Sequence, residues 1–149
     1  MSNRSKINQK IIDALTEING LASPYSSDYE FKTDLHENVY SGIRYIHEIN
    51  DFPVIYVVSP TETRTYNTNG STQGTIQTNL RCYLYSEDLE QDSQNLIDDI
   101  EHVLYSIRFN TDIQVKDLTI TNIKRDNGLL KPYAMVEVFL ATSFEILDF

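Results

Sequence analysis

Apolar residues recur at Leu89, Leu96, Ile97, Ile100, Val103, Leu104 and Ile107. This three-and-four spacing predicts an amphipathic helix from Asp88 to Ile107. Glu90, Asp92, Asp98, Asp99 and Glu101 fall largely off the stripe and are expected to meet water. Asp88 with Gln91 three residues on forms a capping-box pattern, and the nearby acids suit the positive end of the helix dipole. Burying one aliphatic side chain contributes ~1.5–3 kcal/mol, so the stripe needs a surface to pack on. A second helical pattern places Ile7, Ile11, Ala14, Leu15 and Ile18 together, with Ser5 as cap and Asn19-Gly20 as the left-handed stop.

Elsewhere the period shortens to two. Tyr29 and Phe31 alternate with polar neighbours between Asp28 and Thr33, which predicts a short strand. Leu35 to Asn50 reads two ways: a short helix through Val39, Ile43, Ile46 and Ile49, or an extended Tyr40 to Ile49. Val54 to Val58 is unbroken apolar sequence, the pattern of a strand buried on both faces, and Ser59-Pro60 is expected to end it. In Thr61 to Tyr66 three threonines face one way and Glu62, Arg64 and Tyr66 the other. Neither is a core face, so this piece predicts an exposed edge or a surface that meets another chain. Asn67 to Gly74 reads as an uncharged loop. Thr75 to Tyr85 alternates, with Ile76, Thr78, Leu80, Cys82 and Leu84 inward and Tyr83 and Tyr85 on the other face. Ile113 to Arg125 and Tyr133 to Ile146 complete the set, joined across a hairpin signal at Asn127-Gly128. In the last strand Ala134, Val136, Val138, Leu140, Phe144 and Ile146 share one face. The order predicts an α+β chain: a mainly antiparallel sheet with two principal helices packed on one face, a two-layer sandwich.

Composition narrows the function. The 149 residues suit one domain spanning 1–149, with no repeat, linker or low-complexity tract. Nothing approaches the ~20 consecutive apolar residues of a membrane helix. Met1 to Lys10 is polar with no signal-peptide core, and one cysteine excludes an intrachain disulfide framework, which together predict a cytoplasmic origin. The net charge of −10 leaves no basic face to hold nucleic-acid phosphates, so specific DNA binding is not expected.

Candidate chemistry is sparse. The five glycines form no phosphate-binding loop. His36, His47 and His102 stand far apart, without metal-ligand spacing. His102, near Asp98 and Asp99, predicts a surface ion pair when protonated. Cys82 points inward from a regular strand, which disfavours a role as nucleophile. Asp98 and Asp99 diverge by ~100° on the helix and do not form a facing carboxylate pair. The residues predict no enzyme, no cofactor and no metal. The excess of tyrosine points instead to an interface, with Tyr66, Tyr83 and Tyr85 as its candidates.

Phe52-Pro53-Val54-Ile55-Tyr56-Val57, then Glu62 and Arg64-Thr65-Tyr66, a glycine-containing loop, Leu80-Arg81-Cys82-Tyr83-Leu84-Tyr85, an acidic helix, Arg125-Asp126-Asn127-Gly128-Leu129-Leu130 and Pro132-Tyr133-Ala134-Met135-Val136-Glu137 form a recognisable series. In this order they resemble the tail terminator (tail completion) proteins of long-tailed bacteriophages, over about Phe52 to Ile146. The resemblance implies a structural virion protein, assembled in the bacterial host cytoplasm. It would form a hexameric ring at the head-proximal end of the tail tube, halt tube polymerisation and offer a docking surface to the head-completion or neck protein. Its partners would be itself, the tube protein and the neck protein, with DNA passing through without specific binding. A ring needs heterologous contacts that close. Glu62, Arg64, Tyr66, Asn67, Asn69, Gly70, Gln73, Tyr83 and Tyr85 are the expected interface residues, with Thr61 to Tyr66 and the loop Asn67 to Gly74 as an arm reaching a neighbour or the tube. The alternatives are another head–tail connector protein or a binding module that grips a peptide by strand addition along Thr61 to Gly74. An enzyme would have to draw on Tyr25 to Asn50, with His36 or His47 as base.

Overall fold

The computed structural model describes residues 3–42, 48–66, 70, 72–108, 115–126 and 131–146. The elements are α1 (Asn3–Thr16), β1 (Val39–Ser41), β2 (Val54–Tyr66), β3 (Thr72–Tyr85), α2 (Leu89–Ile107), β4 (Val115–Arg125) and β5 (Tyr133–Ile146). The strands form one sheet in the order β1-β2-β3-β5-β4, antiparallel except for the parallel β1–β2 pair. The chain is therefore α+β, with a mainly antiparallel sheet.

Helix α2 starts where its cap signal lies. The Asp88 carboxylate accepts from the Gln91 backbone N–H at 3.4 Å, but the Gln91 side chain turns to Asn95 at 2.9 Å, so only half of the capping box is made. Ser86 Oγ bonds the Asp92 carboxylate beside it. The stripe from Leu96 to Ile107 is buried as its spacing predicts. In α1, which begins at Asn3 and carries Ser5 inside its first turn, Ile7, Ile11, Ala14, Leu15 and Ile18 are buried. Gly20, at φ +76°, follows its end.

The sheet departs from the sequence reading in three places. Ser59-Pro60 does not end a strand. A bulge between Val58 and Thr61 absorbs the proline, which has no N–H to give the ladder, and β2 runs on to Tyr66. The expected strand at Asp28 to Thr33 is reduced to isolated bridges, Ala22 with Glu30 and Asn19 with Asp34. Its N–H groups at Lys32 and Thr33 go to a helix side chain instead, as described below. In the ambiguous segment, Val39–Ser41 is extended and pairs with Ile55 to Val57, while Ile43, Ile46 and His47 lie outside the described residues. Gly74, expected in the loop, is a strand residue of β3.

Two buried clusters flank the central strands. The larger joins Ile7, Ile11 and Leu15 of α1 and Leu96, Ile100 and Leu104 of α2 with Ile55 and Val57 of β2, Ile76, Leu80 and Leu84 of β3, and Val136, Val138, Leu140 and Phe144 of β5. Cys82 lies inside it, fully buried, and burial pushes its thiol up, away from the nucleophilic thiolate. The smaller comprises Ile49, Val54, Tyr56 and Tyr83, with Phe52 and Met135 packed against it. The apolar run has both of its faces covered from Val54 to Val57, as its lack of alternation predicts, while Val58, at its end, is half-buried.

Candidate interface surface

The register divides the expected interface residues among several places. Beyond the bulge, Glu62, Arg64 and Tyr66 of β2 lie opposite Ile76, Gly74 and Thr72 of β3, on the same sheet face as the larger cluster. Thr61, Thr63 and Thr65 lie opposite Gln77, Thr75 and Gln73 on the other face. Gln73 is therefore across the sheet from Glu62, Arg64 and Tyr66. Arg64 reaches Glu62 Oε1 at 3.7 Å, with 51% of the Arg64 side chain and 16% of that of Glu62 exposed. Tyr66 is 78% exposed. Gly70 sits near the tip with φ +85°, a backbone state that favours glycine, while Asn67 and Asn69 lie outside the described residues.

The tyrosines of β3 separate. Tyr83 is not on a free face: only 4% remains exposed, packed with Val54 and Tyr56 in the smaller cluster. Its ring meets that of Tyr56 edge-on at 6.1 Å. Tyr85, two residues on, is 58% exposed. It lies at the far end of the sheet from Tyr66, beside Tyr133, its register partner, and Phe52.

The sheet leaves two borders open. β1 covers β2 only at Ile55, Tyr56 and Val57, so the stretch from Val58 to Tyr66 has no outer strand among the described residues. On the opposite flank, among the described residues, β4 pairs only with β5 and forms the other edge. Such edges present backbone N–H and C=O groups to a further strand.

The expected solvent position of Asp99 is incorrect. Asp99 is fully buried, and its carboxylate accepts from Tyr29 Oη at 2.7 Å, from Lys32 N at 3.1 and 3.0 Å, and from Thr33 N at 2.8 Å. Asp98, one residue earlier, behaves as the pattern predicts: it bonds Lys32 Nζ at 2.9 Å near the surface, and this lysine holds its carboxyl below the usual range. His102 likewise forms no ion pair of the expected kind. Its ring stacks on Tyr29 at 3.9 Å and its Nε2 lies 2.7 Å from Ser23 Oγ. Burial holds it below the ordinary histidine value, against the opposing field of Asp99. One face of α2 thereby fastens the connector between α1 and β1. A signal for this existed: Asp99 stands three residues after Leu96 and four before Val103, on the flank of the buried stripe.

The remaining candidate chemistry does not converge. His36 is exposed at φ +49°, 3.5 Å from Asp34, and His47 lies outside the described residues. The clefts are shallow and lined by other chemistry. One of ≈ 410 Å³ runs beside Tyr40, Glu48, Asp51 and Tyr56, and another of ≈ 570 Å³ beside Glu87, Glu90, Arg125 and Lys131. Among the described residues no group of three or more His, Cys, Asp or Glu could hold a metal, and no helix is long and apolar enough to cross a membrane.

Comparison with known proteins gives matches of three kinds. The family model described as Bacteriophage Tail Tube Terminator Protein matches residues 1–147. The tail tube terminator protein of Escherichia phage T5 is 24% identical over 158 residues, spanning 97% of this chain and 95% of that one. Among solved structures, a chain from the virion of a native gene transfer agent particle matches with a TM-score of 0.47 and 8% identity, over 73% of this chain and 79% of that one.

Proposed function

The chain belongs to the bacteriophage tail tube terminator family, and on that premise we propose that it forms a homohexameric ring on the head-proximal end of the tail tube. There it stops tube polymerisation and provides the surface on which the head-completion or neck protein docks. The observation that carries this reading is the family match over residues 1–147, which leaves only two residues of the chain unmatched. The role is structural, within the virion tail, and follows assembly in the host cytoplasm.

The open sheet edges support the ring. A closed ring requires two different surfaces on each copy, one meeting the other on its neighbour. The outer half of β2 and the free side of β4 are two such surfaces on opposite flanks of one sheet. The β2–β3 hairpin, with Glu62, Arg64, Tyr66, Asn67, Asn69, Gly70 and Gln73, is the arm that reaches a neighbouring copy. The shared cluster of both helices with one set of sheet residues favours a single two-layer domain with the helices on one face. The net charge of −10 suits a passage through which DNA moves without binding.

The test is negative-stain microscopy of the purified protein, alone and mixed with tail tubes from the same phage. Density closing one end of each tube, or rings of the free protein, is the expected outcome. Uncapped tubes beside small isolated particles would defeat the reading.

A further inference from the structure

Three aromatic rings meet where β2 begins, β3 ends and β5 begins. Tyr85 and Tyr133 lie 5.1 Å apart between ring centroids, with Phe52 at 5.5 Å from Tyr133 and 6.2 Å from Tyr85. Packing together has not hidden them: Tyr85 is 58% and Tyr133 37% exposed. Neighbouring exposed aromatics of this kind are rare on a surface without a partner, and tyrosine is among the residues that anchor interfaces. The surroundings are acidic. Asp51 precedes Phe52, and Glu87, Asp88 and Glu90 follow Tyr85, all four exposed. Two cations stand nearby, Lys131 and Arg125, the latter bonded to Gln94 at 3.3 Å, and the four acids outnumber them. Rings framed by acids fit a partner that brings arginine or lysine, whose cationic heads lie over aromatic faces and whose stems cover them.

Geometry makes this an axial surface. In a ring joined through the two sheet edges, neighbours stand side by side, so the ends of the strands point along the ring axis. The Phe52–Tyr85–Tyr133 end then faces an axial partner, at the opposite end of the strands from the hairpin that reaches the neighbouring copy. We propose that the Phe52–Tyr85–Tyr133 end grips the terminus of the tail tube, through arginine or lysine side chains of the tube protein laid over the rings. This rests on the terminator reading, whose family name supplies the tube as the partner.

The test titrates the protein onto tubes assembled from the tube protein of the same phage and counts capped ends. Tyr85→Ser combined with Tyr133→Ser is expected to weaken capping by about tenfold or more, with the thermal melt and self-association unchanged. Glu87→Lys, on an exposed position that carries no packing, is expected to weaken capping too, by a factor that grows as salt is lowered. Should the tyrosine pair fail to fold, Glu87→Lys decides alone. Tyr105→Ser, which removes a 70% exposed tyrosine from α2, is expected to cap as wild type does. Normal capping by the tyrosine pair, or loss of head docking with capping intact, would overturn the assignment while leaving the terminator reading in place. Wild-type protein that caps no tubes would defeat both.

Discussion

Replacing Asp99 by alanine removes the acceptor on which the connector between α1 and β1 depends, and the cost can be worked from the geometry. Three donors lose their partner: Lys32 N–H, Thr33 N–H and the Tyr29 hydroxyl. Tyr29 is only half-buried, so its hydroxyl can turn toward water and is discounted. A buried backbone donor left unsatisfied costs ~1–3 kcal/mol; the Lys32 and Thr33 donors are partly buried, so with the small cavity left in the helix the cost is about 2–4 kcal/mol in all. A domain of this size is stable by only ~5–15 kcal/mol, so the variant should fold yet unfold at much lower urea. Asp98→Ala is the internal control. It removes a neighbouring carboxylate from the same helix, but its Lys32 partner is about half exposed and such pairs contribute ~0–1 kcal/mol. The assay is urea unfolding by circular dichroism, comparing midpoints at constant slope. A loss below ~1 kcal/mol for Asp99→Ala, or one equal to that of Asp98→Ala, would refute the claim that a buried acceptor organises this segment.

Three further outcomes follow from the same structure. Gly74 lies under the buried ring of Phe144, where an added Cβ would stand 2.4 Å from Phe144 Cζ, so Gly74→Ala should cost ~1–3 kcal/mol in urea unfolding, with partial rescue by Phe144→Leu. Burial, and then the bond to Asp99, raise the Tyr29 phenol above its ordinary 10.0. The unfolded chain therefore ionises first, and the stability Tyr29 contributes is present below about pH 10 and lost as pH rises beyond it. Tyr29→Phe should flatten that alkaline limb of a Tm-against-pH curve. His102 shifts the other way, down from 6.5, so its contribution is present above about pH 6.5 and lost as pH falls through its folded value. His102→Asn should remove slope from that window, and an unchanged slope would show that the Tyr29 stack does not resist protonation.

The sequence made the elements legible wherever one face of a segment decides its structure. The α2 stripe, the β3 alternation and the Tyr133–Ile146 ridge follow from periods of 3.6 and 2.0, because burial on a single side imposes them. The parallel pairing of β1 was not legible, since three residues carry no period and their partner is set by a distant strand. At Asp99 position outweighs charge, because two backbone N–H groups from a segment some seventy residues away make its burial tolerable.

Tyr83 and Tyr85 isolate the general limit. They are two residues apart on one face of one strand, so period two assigns them the same environment. Yet Tyr83 is buried and Tyr85 is 58% exposed, a difference no local pattern contains. Its origin is the reach of the cover. Ile49 and Phe52, from the stretch that enters β2, lie over Val54, Tyr56 and Tyr83, and the cover ends at Phe52, whose ring contacts Tyr85 without enclosing it. Periodicity fixes which face a side chain takes, while the extent of whatever lies on that face is a tertiary fact. An interface residue is one that the chain's own cover stops short of. By that criterion Tyr83 is core and Tyr85 remains available to a partner.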